Sequence, residues 1–159
     1  MSRRLPGQEF EDCFFVTTGF LDRRRLGEVE GVYEGLTENL VYYCNREKAK
    51  ILGYVFMPSH IHLLLLVDGG RLAKLVRDFK KRTTQKVLSN LIGPGPQWEQ
   101  RYDRVAIWTL EVLQGKLNYI HDNPVRAGLV EKQEEWKWSS AADYILDRVG
   151  PVPVWKEWW

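Results

Sequence analysis

Apolar positions along the chain follow two periods, and the change from one to the other marks its elements. Residues 13–18, Cys-Phe-Phe-Val-Thr-Thr, form a β-rich run that stops at Gly19 and predict a first strand. Residues 21–35 are charged and punctuated by glycine, which predicts a loop. Thr37 is a candidate cap. After it, Leu40, Val41, Tyr43 and Cys44 recur at helical spacing, and Lys48 and Lys50 suit the end of a helix reaching about residue 50. Residues 51–57 predict a second strand. Pro58-Ser59 makes a tight connection into a third, the apolar run to Val67 that closes on Asp68-Gly69-Gly70.

A second helix is expected over residues 71–90, with Leu72, Leu75, Val76, Phe79 and Val87 as its apolar stripe. Residues 91–96 are a Gly/Pro linker, and a short fourth strand lies near residues 104–108. Residues 109–123 read as a helix through Leu110, Val112, Leu113, Leu117 and Ile120, with Pro124 limiting it. A short helix follows Ser139 or Ser140, either of which is a plausible cap. The order β-α-β-β-α-β followed by helices predicts an α+β, ferredoxin-like (RRM-like) antiparallel sheet with helices on one face and the third strand central. One domain is expected over residues 1–159, with a core at about 13–130 and a helical tail at 131–159.

The third strand carries the first candidate chemistry. Side chains alternate along a strand, so His60, His62, Leu64 and Leu66 share one face. Two imidazoles two residues apart can converge on one cation. By themselves they can simply be two hydrogen-bonded, partly buried rings. Near the end of the fourth-strand helix, Tyr119 and Asn123 stand four apart, so a phenol and an amide project from one face. A half-buried aromatic and a helix C-terminal cap are the plain alternatives. His121 is offset from both and points elsewhere.

Charge changes the picture locally. The net charge is only +2, but residues 71–86 hold seven basic residues against one acidic residue, Asp78. Arg77, Lys80, Lys81 and Arg82, with Arg104 beyond them, are candidate contacts to a polyanion; an ordinary solvated helix face is the alternative. No apolar run approaches the ~18–20 residues of a membrane span, and the basic N-terminus has no apolar signal core. Cys13 and Cys44 lack zinc-site spacing, and a reducing cytoplasm is the expected compartment. No Walker-type loop is present, so no nucleotide cofactor is expected.

Phe56-Met57-Pro58-Ser59-His60-Ile61-His62, followed by Tyr119-Ile120-His121-Asp122-Asn123-Pro124-Val125-Arg126-Ala127-Gly128-Leu129-Val130, resembles the HUH-type single-tyrosine transposases. Within them it is similar to the REP-associated tyrosine transposase branch, which the Trp138-Ser139-Ser140 tail also fits. The resemblance implies an HUH endonuclease fold, with His60 and His62 as metal ligands, Tyr119 as the nucleophile and Asn123 as a third polar ligand. It implies Mg²⁺ or Mn²⁺, single-stranded or hairpin DNA, a 5′-phosphotyrosine intermediate, a monomer or homodimer, and a bacterial, nucleoid-associated protein. A non-catalytic nucleic-acid-binding module on the same fold is the first rival. An RRM displays aromatics on its central strands, whereas histidines stand there in this chain. A metal-dependent phosphodiesterase that leaves no protein adduct is the second rival, and an inactive copy of a mobile element the third.

Overall fold

The computed structural model describes residues 12–158. The basic lead-in of residues 1–9 lies outside the described residues. Strand β1 (Asp12–Gly19) is followed by two short 3-10 turns and helix α1 (Val32–Arg46). Strands β2 (Lys50–Phe56) and β3 (His60–Val67) form a hairpin. Helix α2 (Gly69–Thr83) begins at Asp68, whose carboxylate accepts from the Gly70 amide at 2.8 Å. It runs on through a π-helical turn (Thr84–Leu88) into a single turn, α3 (Ser89–Leu91). Strand β4 (Asp103–Ile107), helix α4 (Leu110–Arg126) and the short α5 (Ala141–Ile145) complete the order.

The four strands pair antiparallel in the order β2-β3-β1-β4, which is the ferredoxin-like arrangement expected, with β3 central. On one face Phe14, Val16, Ile61, Leu63 and Leu65 pack with Leu36 and Leu40 of α1 and Leu72, Leu75 and Phe79 of α2. These two crossover helices share a face, as expected. The other face is covered too: Phe15, Leu64 and Leu66 pack with Leu113, Leu117 and Ile120 of α4. Strand β3 is therefore sandwiched, which is why its sequence is apolar at every position after His62. At the β2 bulge Gly53 lets α4 come close, since a Cβ there would stand 2.5 Å from Leu117 Cδ1.

Several boundaries differ from the expectation. Helix α1 starts five residues before Thr37, behind Gly31 at φ 90°. Thr37 is buried inside it and donates to the Tyr33 carbonyl at 2.9 Å, so it is no cap. The loop expected to reach residue 35 ends at Gly31, because Val32, Tyr33 and Leu36 are buried against the core. Pro124 does not stop α4, which continues to Arg126. The preference against helix before proline is modest; here Pro124 is buried, and the Ala127 amide still donates to Asn123 at 3.0 Å. Asn123 thus lies within the helix instead of capping it. The tail covers the β2 edge: Phe56 N donates to Trp138 O (2.8 Å), Ser140 N to Tyr54 O (3.0 Å) and Trp155 N to Ile51 O (2.8 Å).

Leu117 seats the α4 helix two residues before Tyr119 and is almost fully buried. Leu117→Ala is expected to lower unfolding free energy by about 2–5 kcal/mol, as read from urea or thermal unfolding.

Candidate active site

The histidine strand enters the sheet beside the C-terminal half of β1, and the register brings Thr17 opposite His62 and Gly19 opposite His60. Alternation then points both imidazoles toward α4. Their ring centroids are 4.7 Å apart. His62 stacks on Phe15 at 5.2 Å, with 18° between the planes, and its Nδ1 meets Thr17 Oγ1 at 2.8 Å. His60 Nδ1 meets Ser59 Oγ at 3.1 Å. A hydroxyl thus engages Nδ1 of each ring and leaves the Nε2 side for another partner.

Tyr119 projects from α4 over the same ground. Its ring centroid is 5.5 Å from that of His62, and it is 42% exposed, so solvent reaches it. The Arg126 guanidinium lies over the Tyr119 ring at 4.4 Å. Asn123 follows one turn on. His60, His62, Tyr119 and Asn123 all line one cavity of about 740 Å³, together with Thr17, Arg23, Glu99, Arg101, Tyr102 and Asp103. The four residues singled out as nucleophile and ligands are therefore brought together from β3 and α4. His121 faces away, buried, with Nε2 2.7 Å from Ser140 Oγ.

Burial sets the electrostatics. Desolvation, then the charges of His60, Arg126 and Lys116, push the His62 pKa down to about 3. Burial and Arg23 lower that of His60 as well. Both imidazoles are neutral at pH 7 and keep a lone pair for a metal. His62 Nε2 and Asn123 Nδ2 are buried without a hydrogen-bond partner. An Asn amide not fixed at its nitrogen can turn its oxygen to the same place. Two imidazole nitrogens and one amide fit a divalent ion with open positions. Among the described residues no three His, Cys, Asp or Glu side chains form a metal-holding group, and the Asn123 amide of α4 lines the cavity with the two histidines.

The basic candidates on α2 are placed differently. Lys80 donates to the Glu99 carbonyl at 2.6 Å and so clamps the loop that walls the cavity. Lys81 and Gln85 line a second groove that shares Glu99 and Gln100 with that cavity. Arg77 is 3.2 Å from Asp78, and Arg82 lies in a groove between α1 and α2. Arg104 sits over the Phe14 ring at 5.7 Å, on the sheet face away from the histidines. Arg77, Arg82 and Arg104 are thus outside the cavity. Sequence reasoning missed Thr17, Lys116 and Arg126. Lys116 and Arg126 could have been found from their spacing to Tyr119, but Thr17 only from strand register.

A family model described as transposase, IS200-like, matches residues 19–123. The chain belongs to the IS200-like transposase family. As a member it is a DNA transposase and endonuclease, an enzyme that cleaves and transfers DNA strands through a tyrosine, and its family is metal-dependent. The fold agrees with two solved structures. A REP-associated tyrosine transposase bound to a REP hairpin superposes with a TM-score of 0.73 at 20% identity, over 98% of this chain and 92% of that one. A Deinococcus radiodurans R1 chain assigned as a transposase gives 0.53 at 16% identity, over 76% and 96%. No curated protein matches significantly. No described helix of this IS200-like chain is long and apolar enough to cross a membrane.

The buried histidines make stability depend on pH. The pKa of His62 falls from 6.5 to about 3, and that of His121 from 6.5 to about 4 through burial. Between those values the unfolded chain binds more protons, so the stability is present above pH 6.5 and is lost as pH falls toward 4. At pH 5 each histidine is expected to cost up to about 2 kcal/mol. Metal-free melting curves from pH 7.5 to 5 should show this fall, and His121→Gln should make it shallower.

Proposed function

We propose that Tyr119 is the nucleophile of this transposase, and that His60, His62 and Asn123 hold a divalent cation, Mg²⁺ or Mn²⁺, beside it. The observation that carries the reading is one cavity lined by all four side chains, with His62 Nε2 buried and unbonded inside it. The substrate is single-stranded or hairpin DNA, as in the neighbour bound to a REP hairpin. When bound, the cation polarises a phosphate and offsets charge on its oxygens.

The remaining steps belong to the chain. Tyr119 Oη attacks the scissile phosphorus, and its proton passes to the water that its exposure admits. The Oη–P bond forms as the P–O3′ bond breaks. The 3′ oxygen leaves and takes a proton, and a 5′-phosphotyrosine remains. Attack by a 3′-hydroxyl reverses the sequence and rejoins strands. The covalent link conserves the ester, so no nucleotide cofactor is needed. Every side chain named lines one cavity within a single chain, so one protomer can carry the whole set. Lys81, exposed beside the shared groove, is a backbone contact for the flanking strand.

Tyr119→Phe removes one oxygen and is expected to keep DNA binding while losing cleavage. The wild-type protein, incubated with labelled single-stranded oligonucleotides and Mn²⁺, should give a denaturation-resistant adduct that mass spectrometry places on Tyr119. Full cleavage by the Phe variant would select the non-covalent phosphodiesterase reading instead.

The cation site has its own readout. His60→Ala and His62→Ala are expected to abolish Mn²⁺ binding measured by calorimetry. Thr17→Val, which removes the hydroxyl at His62 Nδ1, should weaken it by roughly 10- to 100-fold, with Thr17→Ser close to wild type. Unchanged Mn²⁺ affinity in both histidine variants would dismiss the site.

A further inference from the structure

Helix α4 turns a stripe toward the sheet whose members stand three, four and three residues apart: Lys116, Tyr119, Asn123 and Arg126. That spacing keeps side chains on one helix face. The phenol and the amide occupy the middle, and a cation stands at each end.

These cations rest mainly on aromatic rings. Lys116 Nζ is 4.9 Å from the centroid of Phe15, and Arg126 Cζ is 4.4 Å from that of Tyr119. Phe15 in turn stacks on His62 and meets Tyr119 edge-on at 6.2 Å. Among the described residues Lys116 has no carboxylate at ion-pair distance. Arg126 has one exposed ion pair, with Asp122 at 3.7 Å, which contributes little, and Nη2 donates a long hydrogen bond to the Tyr119 carbonyl at 3.4 Å. The cavity's carboxylates, Glu99 and Asp103, come from the loop before β4 and from β4 itself. Glu99 Oε1 already accepts from the Asp22 amide at 3.0 Å.

A candidate nucleophile set on one helix face between two cations, one of them without a carboxylate partner among the described residues, marks where an anion is received. We propose that Lys116 and Arg126 bind the scissile phosphate through its non-bridging oxygens, one from each side of Tyr119. This rests on the reading of Tyr119 as nucleophile and extends it by assigning the phosphate to two side chains of α4. The guanidinium fork suits two oxygens of one phosphate, and the ammonium acts as a point charge. Placed before the reaction, both charges meet the negative charge that develops as the phenol oxygen attacks.

A double-substitution cycle tests the proposal in the Tyr119→Phe background, which removes turnover. The probe is a hairpin-bearing single-stranded oligonucleotide that the wild-type protein cleaves, carrying at the cleaved position either a phosphodiester or an uncharged methylphosphonate. Removing that charge is expected to weaken binding about tenfold in Tyr119→Phe, and by less than about twofold once Lys116→Met and Arg126→Met are added. The charge-conserving pair Lys116→Arg and Arg126→Lys should restore the dependence, which a role in packing alone would not produce. Equal losses in all backgrounds would overturn the phosphate site. Should the Met pair fail to fold, as read from its melting curve, Lys116→Gln alone gives the same comparison. An adduct on a residue other than Tyr119 would instead overturn the nucleophile, a result separable from the outcome of the cycle.

Discussion

A strand covered on both faces cannot carry a charged imidazole without a partner, and this constraint shapes the whole site. His62 lies in β3 with helices α1 and α2 behind the sheet and α4 in front. Burial keeps it neutral, and the Thr17 hydroxyl meets its Nδ1. The lone pair at Nε2 is thereby held in one direction, toward the cavity. A cation ligand needs that combination of neutrality and fixed orientation, and a solvated surface histidine offers neither.

The rest of the cavity is built by clamping irregular chain to regular elements. Trp98 is buried, stacks on Phe20 at 4.5 Å and donates to Thr83 Oγ1 at 3.1 Å. Gln97 accepts at its carbonyl from Leu21 N, and Glu99 N donates to Gly19 O. Lys80 closes the set from α2. A segment rich in polar residues thus becomes a fixed wall. Within the basic helix α2, Lys80 gives one of its donors to a carbonyl and so has a structural part in the wall, while Lys81 remains outward.

Helix α4 joins the two halves. Its N-terminal part packs through Leu113 and Leu117, with Gly53 permitting close approach, and its C-terminal part carries the polar stripe. The same helix therefore seals one core and aims the phenol. Continuing past Pro124 matters for this, because Arg126 reaches the Tyr119 ring only from a further helical turn. The IS200-like family assignment and the ferredoxin-like superpositions agree with that architecture.

Local periodicity was enough for much of this. Alternation along residues 60–67 put His60 and His62 on one face, and a spacing of four put Tyr119 with Asn123. The strand order followed from the sequence of elements. Those features depend on neighbours within a few residues, so they are legible in one dimension. Thr17 is different: it stands 45 residues from His62 and meets it only because β1 and β3 pair in one register. The start of α1 and the persistence of α4 beyond Pro124 were decided by burial of Val32, Tyr33 and Pro124, against the local signals of Thr37 and of proline itself. Likewise the cover that residues 138–140 and Trp155 give to β2 rests on backbone pairing with residues some eighty to one hundred positions earlier. The sequence by itself determined which chemistry each element carries; tertiary packing alone decided which of those groups meet, because contact between distant segments is set by register and burial and leaves no local period.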